Sequence, residues 1–346
     1  MGERQVSGSV SGERIALREL AVEGVLLTRW ALEAGWSRNS LFRRLAAEEW
    51  TRIPGGGWAE PGRAADLPLR QWAGQLTTPG LVASHRSAAV LWRIEVLREE
   101  VEFTDPQRSR RKAGARVHWL ALPPEETAVV CDLRATTVAR TLADLLRRGP
   151  REEALVAVDS ALGRRTLGGT RRGPLIDGTG VVAAALATTP LPGAARARRW
   201  LALADPASGS PAETVARLRM HDADLHPESQ AELRTPADRY LRPDFFFRAE
   251  GVAVEIEGHA YHGTREAHRR DVTRFNDLAT CPEISLVLRF AAEEVFHHAE
   301  RFVTRVRAAL ATATSRAAAG PGGWAGGALR ESLLGRGSGL GDVVGG

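Results

Sequence analysis

Two neighbouring segments near the end of the chain are patterned to place acidic side chains on one face of a β-hairpin. Segments 241–247 and 252–257 are rich in aromatic and β-branched residues, and Gly251 lies in the short connection between them. This pattern is typical of two antiparallel strands. Side chains alternate along a strand, so the second segment directs its apolar residues to one face, and Glu255 and Glu257 to the other.

The register of this hairpin decides where Asp244, on the first strand, lies. A turn centred on Ala249 and Glu250 sets Asp244 opposite Glu255, whereas a turn one residue further on sets it opposite Glu257. Either two-residue turn keeps the three carboxylates on one face, while a three-residue loop breaks this parity unless a β-bulge restores it. We therefore predict an acidic face formed by Asp244, Glu255 and Glu257.

Like charges that face each other across a sheet repel, so three gathered carboxylates require either protonation or a cation. Oxygen ligands without thiolates favour Mg²⁺ or Mn²⁺. A solvated acidic strand face is the simpler alternative. A zinc site built from His259, His262 and either His268 or Glu255 is a further alternative.

A helix is predicted to begin just before this region, at Ser210-Pro211-Ala212-Glu213. Serine is a favoured N-cap, proline suits the first helical position, and a glutamate three residues after the cap completes a capping box. Glu213 is thus explained as a capping residue. It is equally a candidate catalytic residue that directs its carboxylate at a metal-bound water, and both roles are compatible.

The 346 residues exceed the usual size of one domain, so more than one hydrophobic core is expected. No apolar run approaches the roughly 20 residues of a membrane span, which predicts a cytoplasmic protein with no membrane partner. Residues 1–20 and the Gly-rich tail 313–346 are predicted to be disordered. Cys131 and Cys281 are far apart in sequence, and we expect both to be buried.

Segment 21–75 predicts two short helices separated by Gly35, the second capped by Ser37 and carrying Leu41, Phe42 and Leu45 on its inner side. A glycine-tipped hairpin at 53–58 follows, and this order is typical of a winged helix-turn-helix. The candidate DNA-binding residues on the outer side of the second helix are Arg38, Asn39, Arg43 and Arg44. A helical hairpin with a solvated basic face is the alternative.

Segment 76–204 is predicted to be an α/β connector domain. A helix begins near Ser84, strands cover 101–104, 116–120 and 129–133, and helices cover 136–148 and 151–162. No catalytic pattern is evident in this segment. Together with the flanking segments, it predicts a multidomain α+β protein.

The motifs in 206–312 follow one another as they do in the Vsr-like branch of the PD-(D/E)xK superfamily, which is similar to very-short-patch-repair endonucleases. The motifs are Ser210-x-x-Glu213, Pro243-Asp244, Val254-Glu255-Ile256-Glu257-Gly258 with Tyr261-His262, Arg270-Asp271-x-x-Arg274 and Val287-Leu288-Arg289-Phe290. The resemblance implies a restriction-endonuclease-like mixed sheet flanked by helices.

The same resemblance implies a Mg²⁺-dependent DNA endonuclease site. Its metal ligands would be Asp244 and Glu255, with the carbonyl of Ile256 as a further candidate, while Glu213 would orient a water and His262 would polarise the phosphate. Arg270 and Arg274 are candidate DNA contacts. Glu257 occupies the position of the lysine in the superfamily signature, so a nuclease fold that only binds is the alternative.

Segments 21–75 and 76–204 resemble proteins with an AbiEi-like antitoxin N-terminal domain. The similarity lies in 35–45, 53–58, Ser84-His85-Arg86-Ser87-Ala88-Ala89 and Thr136-Thr137-x-x-Arg140-Thr141-Leu142-x-Asp144-Leu145. This resemblance implies DNA binding. It makes a transcriptional repressor with a toxin-type partner the alternative to a DNA-cleaving enzyme.

Overall fold

The computed structural model of the protein describes residues 15–54, 57–107, 115–188, 191–257 and 265–319. It is a mixed α/β structure in which helices alternate with several small sheets. Separate hydrophobic clusters lie in the N-terminal, middle and C-terminal parts, which confirms the prediction of more than one core. None of the described helices combines the length and the apolar composition that a bilayer span requires.

The N-terminal part packs three helices around a three-stranded sheet of order β1-β3-β2. Its elements are β1 (Val25–Leu27), α1 (Thr28–Glu33), α2 (Arg38–Ala47), β2 (Thr51–Ile53), β3 (Gly57–Ala59) and α3 (Leu67–Thr77). Ser37 caps α2 as predicted, because its hydroxyl accepts a hydrogen bond from the Ser40 N–H at 3.3 Å.

Two predictions for this part need correction. Leu17 is buried in the N-terminal core, so order begins before residue 21. Phe42 does not share the inner side of α2 with Leu41 and Leu45. Those two leucines are four residues apart on one helix face, whereas Phe42 is rotated by one residue from that face and is 46 % exposed. Its ring instead meets Trp58 edge-on, with centroids 5.7 Å apart.

The middle part begins with a five-stranded sheet of order β6-β5-β4-β8-β7. Its elements are β4 (Val82–Ala83), α4 (His85–Leu91), β5 (Glu102–Thr104), β6 (Arg116–His118), β7 (Thr127–Val130) and β8 (Leu133–Thr136). The single strand predicted over 129–133 was wrong. Cys131 and Asp132 both adopt positive φ, and this two-residue turn folds the segment into the β7/β8 hairpin. Cys131 is therefore exposed rather than buried, whereas Cys281 is buried as predicted.

Helices complete the middle part and bury a largely aliphatic core. The elements are α5 (Val138–Arg148), α6 (Arg151–Leu162), β9 (Arg165–Leu167), β10 (Thr170–Arg172), α7 (Gly180–Thr188) and α8 (Ala194–Leu201). The predicted helices 136–148 and 151–162 are confirmed as α5 and α6, and Thr137 rather than Thr136 caps the first.

The C-terminal part is a four-stranded mixed sheet of order β11-β14-β15-β16. Its elements are α9 (Pro211–Asp222), β11 (Glu228–Ser229), β12 (Leu233–Arg234), β13 (Tyr240–Leu241), β14 (Phe245–Phe247), β15 (Val252–Glu257), α10 (Arg265–Thr280), β16 (Leu286–Ala291), α11 (Ala292–His297) and α12 (Ala299–Ala319). Strands β14 and β15 are antiparallel, and β15 and β16 are parallel because α10 joins their ends as a crossover.

Helices cover both faces of this sheet. Phe245, Phe247 and Val254 pack against α9 and α12, while Phe246 and Ala253 pack on the opposite side against Leu278 of α10. Helix α12 continues to residue 319 and buries Ala313 in the C-terminal core, so the ordered part extends beyond the predicted boundary at 312. The site described next lies at the edge where α9 meets this hairpin.

Candidate active site

Asp244 and Glu255 face each other across the β14/β15 hairpin. The register pairs Phe245 with Val254 and Phe247 with Val252, which is the arrangement predicted for a turn centred on Ala249 and Glu250. One pair further along, the Asp244 N–H donates to Glu255 Oε1 at 3.2 Å. Asp244 Oδ2 in turn accepts from the Ile256 N–H at 2.8 Å. The strand alternation therefore brings these two acids together as predicted.

Glu213 reaches the same cluster from the first turn of α9. Its N–H donates to the Ser210 hydroxyl at 3.2 Å, and its Oε2 accepts from the Gly209 N–H at 2.7 Å. The capping role predicted for this residue is thus confirmed. The same carboxylate also lies close to Asp244, because the Gln230 amide nitrogen is 3.3 Å from Glu213 Oε2 and 3.0 Å from Asp244 Oδ1. One side chain therefore both caps the helix and belongs to the acidic cluster.

All three carboxylates have raised pKa values. Burial raises the pKa of Asp244 to about 6, and the neighbouring Glu213 carboxylate acts in the same direction. Burial is also the main cause that raises the pKa of Glu213, and for Glu255 burial is followed by the charge of Asp244. Desolvation and like-charge repulsion therefore both disfavour the ionised form of these carboxylates. A bound cation would offset both effects.

Arg274 of α10 supplies a positive charge at one side of the cluster. Its Nε lies 2.9 Å from Glu255 Oε2 and its Nη2 lies 3.0 Å from Glu255 Oε1, so the guanidinium forms a bidentate ion pair with this carboxylate. Nη2 also donates to the Arg242 carbonyl at 2.8 Å. Arg274 was predicted as a DNA contact, and the structure places it against Glu255 instead of leaving it free on the outer surface.

Glu257 shares the strand face of Glu255 but points to a different partner. Its Oε1 lies 2.6 Å from Arg289 Nη2 on β16, and about a third of the side chain is exposed. The guanidinium of Arg289 also lies over the ring of Phe275 on α10, 5.3 Å from its centroid. Glu257 is therefore held in an ion pair at the rim, and it is Glu213 that joins the other two acids.

Two of the predicted site residues cannot be placed. His262 lies outside the described residues, and so does the side chain of Arg270. The zinc alternative requires His259 and His262 with either His268 or Glu255, and of these only the Glu255 side chain lies within the described residues.

The residue types in the cluster suit Mg²⁺ or Mn²⁺, since all three are carboxylates that approach one another. Within the described ranges, however, three or more His, Cys, Asp and Glu groups do not converge in a ready metal-binding geometry. The contacts already described account for this, because both oxygens of Glu255 face Arg274 and Oδ2 of Asp244 faces a backbone N–H. The donor set fits a divalent cation, and these contacts would have to rearrange around it.

Gln230 was not identified from the sequence as a site residue. It follows the two-residue strand β11, and no motif distinguishes it from other surface glutamines. The one sequence feature that could have indicated a role for Gln230 is its position, 14 residues before Asp244. The contact with two carboxylates depends on how β11 pairs with β14, and that pairing is visible only in the structure.

A second candidate surface lies on α2. Arg38, Asn39, Arg43 and Arg44 are all exposed, as predicted, and Arg44 forms an ion pair with Glu48 one turn later. The Phe42 and Trp58 rings lie beside this basic side. Of these two rings only Phe42 is exposed. Exposed cations next to an exposed aromatic ring are suited to phosphate and base contacts.

The chain matches no protein-family model, and no curated protein is significantly similar to it in sequence.

Proposed function

We propose that the protein binds DNA and hydrolyses phosphodiester bonds with the help of a divalent cation bound at Asp244 and Glu255, beside Glu213. The observation that carries this proposal is that Asp244 lies beside both Glu255 and Glu213, so three largely buried carboxylates with raised pKa values adjoin one another at the β14/β15 hairpin and the start of α9. Such an arrangement is unfavourable for folding, and strongly perturbed carboxylates cluster at functional sites. The order of the mixed sheet and its flanking helices is compatible with the restriction-endonuclease-like fold that the motifs imply.

Asp244 and Glu255 are the residues proposed to hold Mg²⁺ or Mn²⁺. The ion would act as a Lewis acid toward the phosphate and would lower the pKa of a bound water. Among the chain's own groups, the Ile256 N–H orients Asp244. Arg274 contacts both oxygens of Glu255 and would have to release at least one of them to the cation. Glu213 is proposed to orient the attacking water, a role compatible with its capping contact because a carboxylate has lone pairs for several donors.

The N-terminal part is proposed to be a winged helix-turn-helix that docks α2 on duplex DNA. Support comes from the order of α1, α2 and the β2/β3 hairpin, and from the exposed arginines on α2. In this motif the second helix enters the major groove and the hairpin contacts the backbone. Binding by the N-terminal part would bring the acidic site to DNA without requiring that the site itself bind tightly.

The direct test is plasmid nicking. Purified protein with supercoiled plasmid and Mg²⁺ or Mn²⁺ is expected to produce open circles, followed on agarose gels. Excess EDTA should abolish the reaction, and added Mg²⁺ should restore it, because the carboxylates alone do not stabilise the charge that develops on phosphate. Nicking that persists in EDTA would contradict a cation-dependent site.

The α2 surface is tested with Arg43→Ala/Arg44→Ala. Loss of two phosphate contacts is expected to weaken duplex binding and to lower the slope of log K against log salt by about 2. Fluorescence anisotropy over a salt series measures both quantities. The double variant Arg98→Ala/Arg301→Ala is the control for net charge, since both side chains are about 70 % exposed and lie elsewhere. Equal effects from the two double variants would show that the loss of net charge, and not a specific α2 surface, explains the weaker DNA binding.

A second candidate function is a non-catalytic repressor of the antitoxin type, acting with a toxin-type partner. The observation that favours it is the ion pair of Arg274 with Glu255, which already neutralises one proposed ligand. This candidate predicts the same salt-dependent binding through α2 but no cation-dependent nicking. The plasmid experiment therefore separates the two functions.

A further inference from the structure

Gln230 lies between two carboxylates that belong to different elements of the fold. Its amide nitrogen is 3.0 Å from Asp244 Oδ1, ahead of β14, and 3.3 Å from Glu213 Oε2 on α9. A primary amide carries two N–H donors, so one amide can serve both carboxylates at once. The opposite amide orientation would direct a carbonyl oxygen at two acids, and repulsion disfavours it. Gln230 is thus a bridge between the helix and the sheet.

The backbone of Gln230 is also fixed on Asp244. Its N–H donates to the Asp244 carbonyl at 3.0 Å, directly after the Ser229 and Phe245 pair of the β11/β14 ladder. The residue adopts a φ of +50°, in the left-handed region that side chains other than glycine, asparagine and aspartate seldom occupy. Such a conformation persists only where the surrounding contacts maintain it, and these positions concentrate at functional sites.

The neutral amide of Gln230 suits a site that must bind a cation. A lysine or arginine between the two acids would neutralise them and compete with the ion, as Arg274 does at Glu255. A neutral amide instead holds both oxygens by hydrogen bonds and leaves their charge available. Without a donor between them, two neighbouring carboxylates are driven apart by repulsion.

We propose that Gln230 is a positioning residue that orients Asp244 as a ligand of the divalent cation and sets its separation from the Glu213 carboxylate. The inference rests on the function proposed above and adds a residue to it. Groups that orient metal ligands in this way commonly change metal affinity by 10–100-fold when they are removed. The effect should appear in cation binding, with little change in thermal stability, because Gln230 is only partly buried.

The test is the dissociation constant for Mn²⁺ measured by electron paramagnetic resonance on the full chain. Gln230→Met keeps the length of the side chain but has no donor, and about 10–100-fold weaker binding is expected. Gln75→Met is the matched control. The Gln75 side chain hydrogen-bonds the backbone of Arg134, where α3 meets β8. Because this contact is remote from the acidic cluster in sequence and fold, the Mn²⁺ affinity of Gln75→Met is expected to be unchanged.

A second variant guards against a folding defect. Gln230→Asn retains the amide but is one methylene shorter, so it should reach only one of the two acids, and we expect binding at least about 5-fold weaker than in the unmodified protein. Wild-type Mn²⁺ affinity in either folded variant would overturn the inference while leaving the proposed function intact. If the unmodified protein neither binds Mn²⁺ nor nicks plasmid, the proposed function fails and this inference fails with it.

Discussion

Replacing Asp244 by asparagine is expected to reduce plasmid nicking by about 1,000-fold or more. The substitution preserves shape and one acceptor oxygen but removes the charge that would hold the cation. A metal ion contributes several kcal/mol of transition-state stabilisation, and each 1.36 kcal/mol corresponds to a factor of ten in rate. Initial rates of open-circle formation at saturating Mg²⁺ measure the loss.

The same substitution should leave the fold intact. Burial and the nearby Glu213 raise the pKa of Asp244, so its ionised form is disfavoured in the folded protein. Removing this charge relieves repulsion, and the thermal midpoint of Asp244→Asn should equal or exceed that of the unmodified protein. Asp238→Asn is the control, because Asp238 is an exposed residue of the same part of the chain that pairs with Arg234. Undiminished nicking by Asp244→Asn would refute the assignment of this site.

Replacing Arg86 by leucine is expected to lower the free energy of unfolding by about 3–5 kcal/mol, as when one partner of a buried ion pair is removed. Arg86 is buried, and its Nη1 lies 3.0 Å from Glu102 Oε2 while its Nη2 lies 2.9 Å from Glu153 Oε2. The residue therefore ties β5 to α6. Its removal leaves two buried carboxylates without their main counter-charge. Urea denaturation monitored by circular dichroism gives the change.

Arg98→Leu is a matched control for Arg86→Leu. Arg98 approaches the same Glu153, at 3.6 Å, but about 70 % of its side chain is exposed. Exposed pairs contribute about 0–1 kcal/mol, so this variant should remain close to the unmodified protein. Similar losses in both variants would show that the buried network does not carry the stability ascribed to it.

Acid sensitivity follows from the same network. Burial of Glu102 opposes its ionisation, but the hydrogen bond from His118, the electrostatic effect of His85 and the hydrogen bond and charge of Arg86 outweigh burial and lower its pKa from 4.5 to about 2. A carboxylate with a lowered pKa stabilises the fold above pH 4.5, and this contribution is lost as the pH falls toward 2. The shift corresponds to about 3 kcal/mol. In Arg86→Leu this loss on acidification should be smaller, because the pKa of Glu102 is no longer held down by the guanidinium.

Local sequence rules succeeded where the interactions are local. Ser37 and Ser210 cap their helices as predicted, and α6 has the predicted bounds, because capping and helical periodicity depend on residues three or four apart. The prediction that Asp244 and Glu255 share one face of the hairpin was also correct, because the parity of a hairpin depends on a short local turn. The β7/β8 hairpin was missed, because a turn through Cys131 and Asp132 lacks the Asn-Gly or Asp-Gly signal of such turns.

From the sequence, either two-residue turn places Asp244 and Glu255 on one face of the hairpin, because side chains alternate along each strand, and the structure has the first of these turns. The sequence also determined that Glu213 caps α9. Only the tertiary structure decided that Glu213 joins these acids, that Glu257 turns to Arg289, and that Gln230 and Arg274 contact the cluster. These contacts join residues 14 to 32 positions apart through the packing of α9, α10 and β11 on the sheet, and no local pattern encodes such packing.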